Sequence, residues 1–237
     1  MTPSDEPRAV AAALTGARTQ LEALCDDGAD RWSRSGVRSL LRTPLTGRPA
    51  AVLVLFGMLD LAPAREPEPP VAAELDVLLT RRAATLGHHP GQVSFPGGRL
   101  DPADRGPIEA ALREAREETG LDPEGVDVLG VLPPLPVAVS NHLVTPVVGW
   151  WSHPSAVAAV DHAETADVFR VPVADLLSPG NRRTATVTRG GVTYRSPAFL
   201  AGDHLVWGFT ALVLDAMFDT LGWDVPWDAS RTIPAPV

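Results

Sequence analysis

The sequence predicts an α/β fold, with strands and helices interleaved along one chain. Three observations carry this. Short aliphatic runs of strand length, such as Ala50–Phe56, are bounded by glycine and proline. Three longer segments, 8–25, 107–119 and 207–221, repeat apolar residues at helical spacing. The two kinds of segment alternate along the chain, as they do in folds that layer helices on a sheet.

Taken in order, residues 8–25 open after Pro7 and space Val10, Leu14, Leu21 and Leu24 as one helical face. That face either packs on its own domain or serves a partner. Residues 26–49 are polar and turn-rich, and Ala50–Phe56 reads as a buried strand. The proline-rich stretch Ala62–Pro70 turns the chain into a second strand over Leu75–Arg82, making a hairpin. After the helix of 107–119, Val126–Leu132 and His142–Trp151 are strands flanking a proline-rich loop. Asp167–Val171 is a further strand, and Pro172 opens a short helix through Leu177. Thr184–Thr188 and Val192–Ser196 form a hairpin across Gly190-Gly191. Trp207–Leu221 is the last helix, with Leu212, Met217 and Phe218 as core. From Gly222 the tail is proline-rich and expected to be loosely ordered.

Composition bounds the function. The net charge of −9 argues against a nucleic-acid-binding surface. All 20 basic residues are arginine, so arginine count by itself says little about phosphate binding. Cys25 is the single cysteine, which rules out an intramolecular disulfide and fits a reducing compartment. The first residues lack the basic-then-apolar order of a signal peptide, and the longest apolar run, Ala50–Met58, is too short to span a membrane. The expectation is a soluble cytoplasmic protein without a membrane or nucleic-acid partner.

Residues 97–121 are the most specific stretch: a glycine turn, a short acidic loop and a helix with three glutamates near its end. Gly106-Pro107 starts that helix and Gly120 stops it. Ile108, Ala111, Leu112, Ala115 and Thr119 form its apolar stripe. Glu114 and Glu118 lie one turn apart on a single flank of the stripe, and Glu117 lies on the adjoining surface. Like charges at this spacing repel by roughly 0.2–0.5 kcal/mol per pair, a cost that a cation reverses. Carboxylate oxygens are what Mg²⁺ or Mn²⁺ prefers. The plain alternative is a solvated charged face, since Glu109 and Glu117 each stand four residues from Arg113. The Gly97-Gly98 turn weighs against it. Glycines let backbone approach a ligand closely, and a free carbonyl there completes an oxygen-rich site.

This segment resembles the Nudix box, Gly-x5-Glu-x7-Arg-Glu-U-x-Glu-Glu-x-Gly-U, with U aliphatic. Gly98, Arg113, Glu114, Glu117, Glu118, Gly120 and Leu121 match; Ala115 fills the first U position poorly. The early Glu is absent. Its place falls on Asp104, and the stretch to Arg113 is one residue too long, so Asp101 or Asp104 is expected to replace it. The resemblance covers about residues 50–221. It implies an α/β/α sandwich around a mixed β-sheet, with residues 1–45 as an N-terminal helical extension and 46–237 as the hydrolase domain. It also implies a Mg²⁺- or Mn²⁺-dependent pyrophosphatase. Glu114, Glu118 and the Gly98 carbonyl are its expected metal ligands. Glu117 is either a ligand or a base, and Arg113 orients the glutamates. The family often takes a general base from outside the box, and Glu164, shortly before the Val168-Phe169-Arg170-Val171-Pro172 strand, is the candidate.

Directly upstream, Leu78-Leu79-Thr80-Arg81-Arg82-Ala83 followed by Gly91-Gln92-Val93-Ser94-Phe95-Pro96-Gly97-Gly98 is similar to the element marking the coenzyme A pyrophosphatase branch of that family. One fixed position departs: an arginine of the branch is Gly87 here, and Arg81, His88 or His89 could substitute. The resemblance implies substrate contacts at Arg82, Gln92, Ser94 and Arg99, with Ser140, Asn141 and His142 as weaker candidates. Coenzyme A or acyl-CoA is the expected substrate. A dinucleotide, ADP-ribose or a nucleoside triphosphate remains open, as does a non-catalytic Nudix-fold binding module. A homodimer is a further expectation.

Overall fold

The computed structural model describes residues 6–26 (side chains from Thr15), Val37, 46–58, 75–85 and 90–236. Most of the polar stretch 26–49, the loop Ala62–Pro70, and Gly87, His88 and His89 lie outside the described residues. So do the side chains of Val10 and Leu14.

Strand β1 (Arg48–Met58) is the spine. It pairs in parallel with β7 (His142–Trp151) over its length, from Arg48↔His142 to Phe56↔Trp150. Its other edge is shared. The first half pairs with β4 (Gly97–Arg99), Ala51 opposite Gly98, and the last residues pair with β2 (Leu75–Arg82), Phe56 opposite Val77. β2 in turn pairs with β3 (Val93–Ser94) and with β8 (Thr165–Pro172), while β7 pairs with β5 (Val126–Val131) and β6 (Leu135–Val137). One parallel pairing among antiparallel ones makes the sheet mixed, as expected.

Two cores follow from the period-two alternation of β1. Ala51, Leu53 and Leu55 face the helix α2 (Pro107–Thr119), packing with Ala110, Ala111, Ala115 and Leu121. Val54 and Phe56 face the other way, into a larger core with α1 (Glu6–Asp26), α3 (Val173–Leu177) and α4 (Gly208–Leu221). The result is an α/β/α sandwich. Ala17, Leu21 and Leu24 of α1 are buried in the larger core. The described part of the α1 face therefore packs on its own domain. Among the described residues, no helix is long and apolar enough to cross a membrane.

A second sheet, β11 (His204–Val206), β10 (Val192–Ala201), β9 (Arg182–Arg189) and β12 (Thr232–Pro234), packs against α4. The β9–β10 hairpin turns on Gly190 and Gly191, both at positive φ. Two expectations are corrected. The tail is not loose: β12 pairs in parallel with β9, and Ala235 is buried. Trp223 anchors that tail by stacking on Phe218 and donating its indole N–H to Gln20. Ile108 is not part of the buried stripe but 41% exposed, because it sits on the first turn of α2, before the helix settles on the sheet at Ala110 and Ala111.

Candidate active site

Gly97 and Gly98 bring β4 under α2. A β-carbon on Gly97 would collide with the backbone of Ala51 and Val52, so only glycine permits this strand to lie so close to β1. A β-carbon on Gly98 would fall 2.5 Å from the Glu114 carboxylate. The predicted pairing of the glycine turn with the helical glutamates is thus a direct contact.

α2 itself is bounded as its sequence dictates. Pro107 occupies the first turn, and Gly120 closes the helix at φ 71°, returning its N–H to the Arg116 carbonyl. This presents Glu114 and Glu118 toward β4 and the end of β2. Glu118 accepts the Gly97 N–H at 3.2 Å. Burial pushes its carboxyl up to about 7, with Glu114 and Glu164 adding repulsion and Arg82 opposing it. Burial also raises Glu114, though less, because Arg113 donates to it at 3.0 Å.

Arg113 is fully engaged. Its Nε and Nη2 grip Asp104 at 3.1 and 2.9 Å, Nη2 also reaches the Arg99 carbonyl at 3.1 Å, and Nη1 serves Glu114 and Glu117. Asp104, whose side chain is 4% exposed, is the loop acid that pairs with Arg113; the hydrogen bonds with Arg113 hold its carboxyl below the usual range. Asp101 instead shapes the loop, accepting the Ala103 N–H.

Two distant segments converge on the same glutamates. The Ala83 N–H donates to the Glu164 carbonyl at 2.8 Å, tying the end of β2 to the start of β8. This brings Arg82 and Glu164 within electrostatic reach of Glu118, 36 and 46 positions away in sequence. The other expected substrate residues are more dispersed. The Ser94 hydroxyl pairs with that of Thr80 at 3.2 Å. The Gln92 amide lies against Gly208, at the start of α4. Arg99 projects from the opposite face of β4 to Gly98. Glu117 is 58% exposed and drawn to Arg113, away from Glu118.

The carboxylates of Glu114 and Glu118 and the neighbouring backbone oxygens suit a hard divalent cation. Both acids are half-buried, one turn apart, with their charge only partly offset, which is the condition a cation relieves. Among the described residues, no three acidic, histidine or cysteine side chains already form an ion cage. The reason is local: Arg113 holds Glu117 and one oxygen of Glu114. An open groove of about 970 Å³ runs along the other flank of α2, past Ile108, Leu112 and Val131, and does not include Glu114 or Glu118.

The match to the NUDIX domain spans residues 70–189, taking in the glycine turn, the glutamate helix and Glu164. The chain belongs to the Nudix family. It is 42% identical over 173 residues to an uncharacterized Nudix hydrolase, NudL, of Cronobacter sakazakii, covering 73% of this chain and 82% of that relative. The NudL of Shigella flexneri serotype 5b is 38% identical over the same shares. Among solved structures, the M. smegmatis Nudix hydrolase RenU is similar at 23% identity and TM-score 0.41, over 53% of this chain and 70% of that one. This Nudix protein is accordingly a hydrolase of diphosphate linkages in nucleotide derivatives, and its family uses divalent metal ions.

Proposed function

We propose that this Nudix hydrolase cleaves the diphosphate of coenzyme A or acyl-CoA, with Mg²⁺ or Mn²⁺. The products are 3′,5′-ADP and 4′-phosphopantetheine or its acylated form. One observation carries the reading. Two residues of the upstream element, Arg82 and Gly97, lie at the same acid: Arg82 is near Glu118, whose carboxylate the Gly97 N–H holds.

In this reading Glu114, Glu118 and the Gly98 carbonyl hold the metal. Bound there, the ion neutralises non-bridging oxygens of the diphosphate and lowers the cost of ionising a water. Glu164 takes a proton from the attacking water, and Glu117 is its alternative or an additional ligand. The water oxygen bonds to one phosphorus as the bridging P–O bond breaks, and the second phosphate leaves with that electron pair. Arg113 positions Glu114 and Glu117 and touches no substrate. Arg82 supplies a guanidinium to phosphate oxygens, with Gln92, Ser94 and Arg99 as further substrate contacts.

Gly87, where the branch carries arginine, favours one second reading: another nucleoside diphosphate derivative, such as ADP-ribose or a dinucleotide. The test is product chromatography with coenzyme A, ADP-ribose and NADH plus Mg²⁺ or Mn²⁺, with Glu118→Gln as control. Coenzyme A cleavage abolished in the control supports the proposal. Cleavage of ADP-ribose or NADH without coenzyme A overturns it in favour of the second reading.

A further inference from the structure

Three basic side chains from three strands gather on the sheet face opposite α2, across β4 from the acids. Arg48 begins β1, Arg99 ends β4 and His142 begins β7. Arg48 is the register partner of His142, and Ala50 is the partner of Arg99. Register partners share a sheet face, as do residues two apart. Arg48, Arg99 and His142 therefore stand on one face, the arginines on the diagonal that long side chains bridge.

The cluster is unbalanced. Among the described residues, neither Arg48 nor Arg99 has a side-chain hydrogen bond or ion pair. The other arginines of this region are held: Arg113 by Asp104, Glu114 and Glu117, and Arg105 by Glu109. His142 Nε2 is buried with no hydrogen-bond partner among the described residues. Burial, then the two arginine charges, hold the imidazole below its ordinary value. In a chain with 29 acidic and 20 basic residues, two adjacent arginines without a carboxylate are a cost that an anion offsets. The cluster is joined to the candidate site through the backbone: Arg99 follows Gly98, and its carbonyl accepts from Arg113.

We propose that Arg48, Arg99 and His142 form a subsite for a phosphate monoester of the substrate, distinct from the diphosphate that is cleaved. The inference rests on the coenzyme A reading, in which that group is the 3′-phosphate of the ribose. Two guanidinium forks and a ring N–H give planar, charge-assisted donors to its oxygens. They supply the cationic recognition that the branch arginine, absent at Gly87, would otherwise share.

The test compares coenzyme A with 3′-dephospho-coenzyme A as substrates of the full-length metal-loaded enzyme. Wild type is expected to favour coenzyme A by about tenfold or more in kcat/KM, chiefly through KM, since charge-assisted hydrogen bonds are being counted. Arg48→Ala and Arg48→Ala/Arg99→Ala bring that ratio toward one, and Arg48→Lys restores part of it. A wild-type ratio near one, or variants that lower both substrates equally, overturns the subsite. Should neither substrate be cleaved, the coenzyme A reading fails by itself. Calorimetric titration with 3′,5′-ADP and AMP without metal then decides the subsite. Tighter binding of 3′,5′-ADP that the double variant loses supports it, and equal or no binding overturns it.

Discussion

Glu118→Gln removes a charge that folding buries, and its effect on stability can be worked out from the site. The carboxyl is pushed from 4.5 up to about 7, first by burial and then by Glu114. Between those values the folded state keeps a proton that the unfolded chain has released. In metal-free buffer this contribution therefore falls as pH rises through that window and is fully unfavourable above about 7. At 1.36 kcal/mol per unit the penalty approaches about 3 kcal/mol at pH 8. Glutamine keeps an oxygen for the Gly97 N–H but carries no charge. Metal-free Glu118→Gln is thus expected to be more stable than wild type at pH 8, by about 2–3 kcal/mol after Arg82 loses its partner. That corresponds to roughly 4–12 °C in Tm at about 2–4 °C per kcal/mol. The advantage vanishes near pH 4.5, where both residues are neutral. With Mg²⁺ or Mn²⁺ the order reverses, since wild type gains binding energy that the variant lacks. Thermal unfolding at both pH values, in EDTA and in metal, measures all of this. A variant no more stable than wild type in EDTA at pH 8 refutes the electrostatic argument. An equal metal-induced rise in Tm refutes the role of Glu118 as a ligand.

Two further outcomes test the scaffold. Gly98→Ala puts a methyl group 2.5 Å from the Glu114 carboxylate, the movable end of its side chain. The fold should survive, with Tm within a few degrees, while metal-dependent turnover drops by about 10²-fold, as misplacement of about 1 Å does at a catalytic centre; unchanged turnover would show that Glu114 need not sit there. Asp215→Ala strips the partner from Arg182, which is 1% exposed and flanked by the Phe199 and Trp227 rings. An orphaned buried charge costs about 3–5 kcal/mol, so denaturant unfolding should show a loss of that order. A loss below about 1 kcal/mol would mean that Asp224, 3.8 Å from Arg182, suffices.

The local elements were legible because each is specified within a few residues. Pro107 and Gly120 bound α2 in the sequence as they do in the fold. β2 and β7 span the residues expected of them, since each carries an apolar run of strand length. The short strands β3, β4, β6, β11 and β12 were not legible. A strand of two or three residues has too few side chains to show a period and exists only because a neighbour offers backbone partners. The tail misled for the same reason: its prolines suggest looseness, while Trp223 and the pairing with β9 order it.

The site divides along the same line. The sequence alone determined that Glu114, Glu117 and Glu118 crowd one helix and that a double glycine precedes them. These are facts of spacing. Only the tertiary structure decided which acids share an environment. Glu118 is buried against Gly97 and near Arg82 and Glu164, whereas Glu117, one residue away, turns out to Arg113 and solvent. The choice of Asp104 over Asp101 as the partner of Arg113 belonged to the structure too. So did the meeting of Arg48, Arg99 and His142, which no local pattern announces. Burial and charge proximity depend on which strands pair. That pairing follows from β1 lying in parallel with β7, with β4 and β2 sharing its other edge.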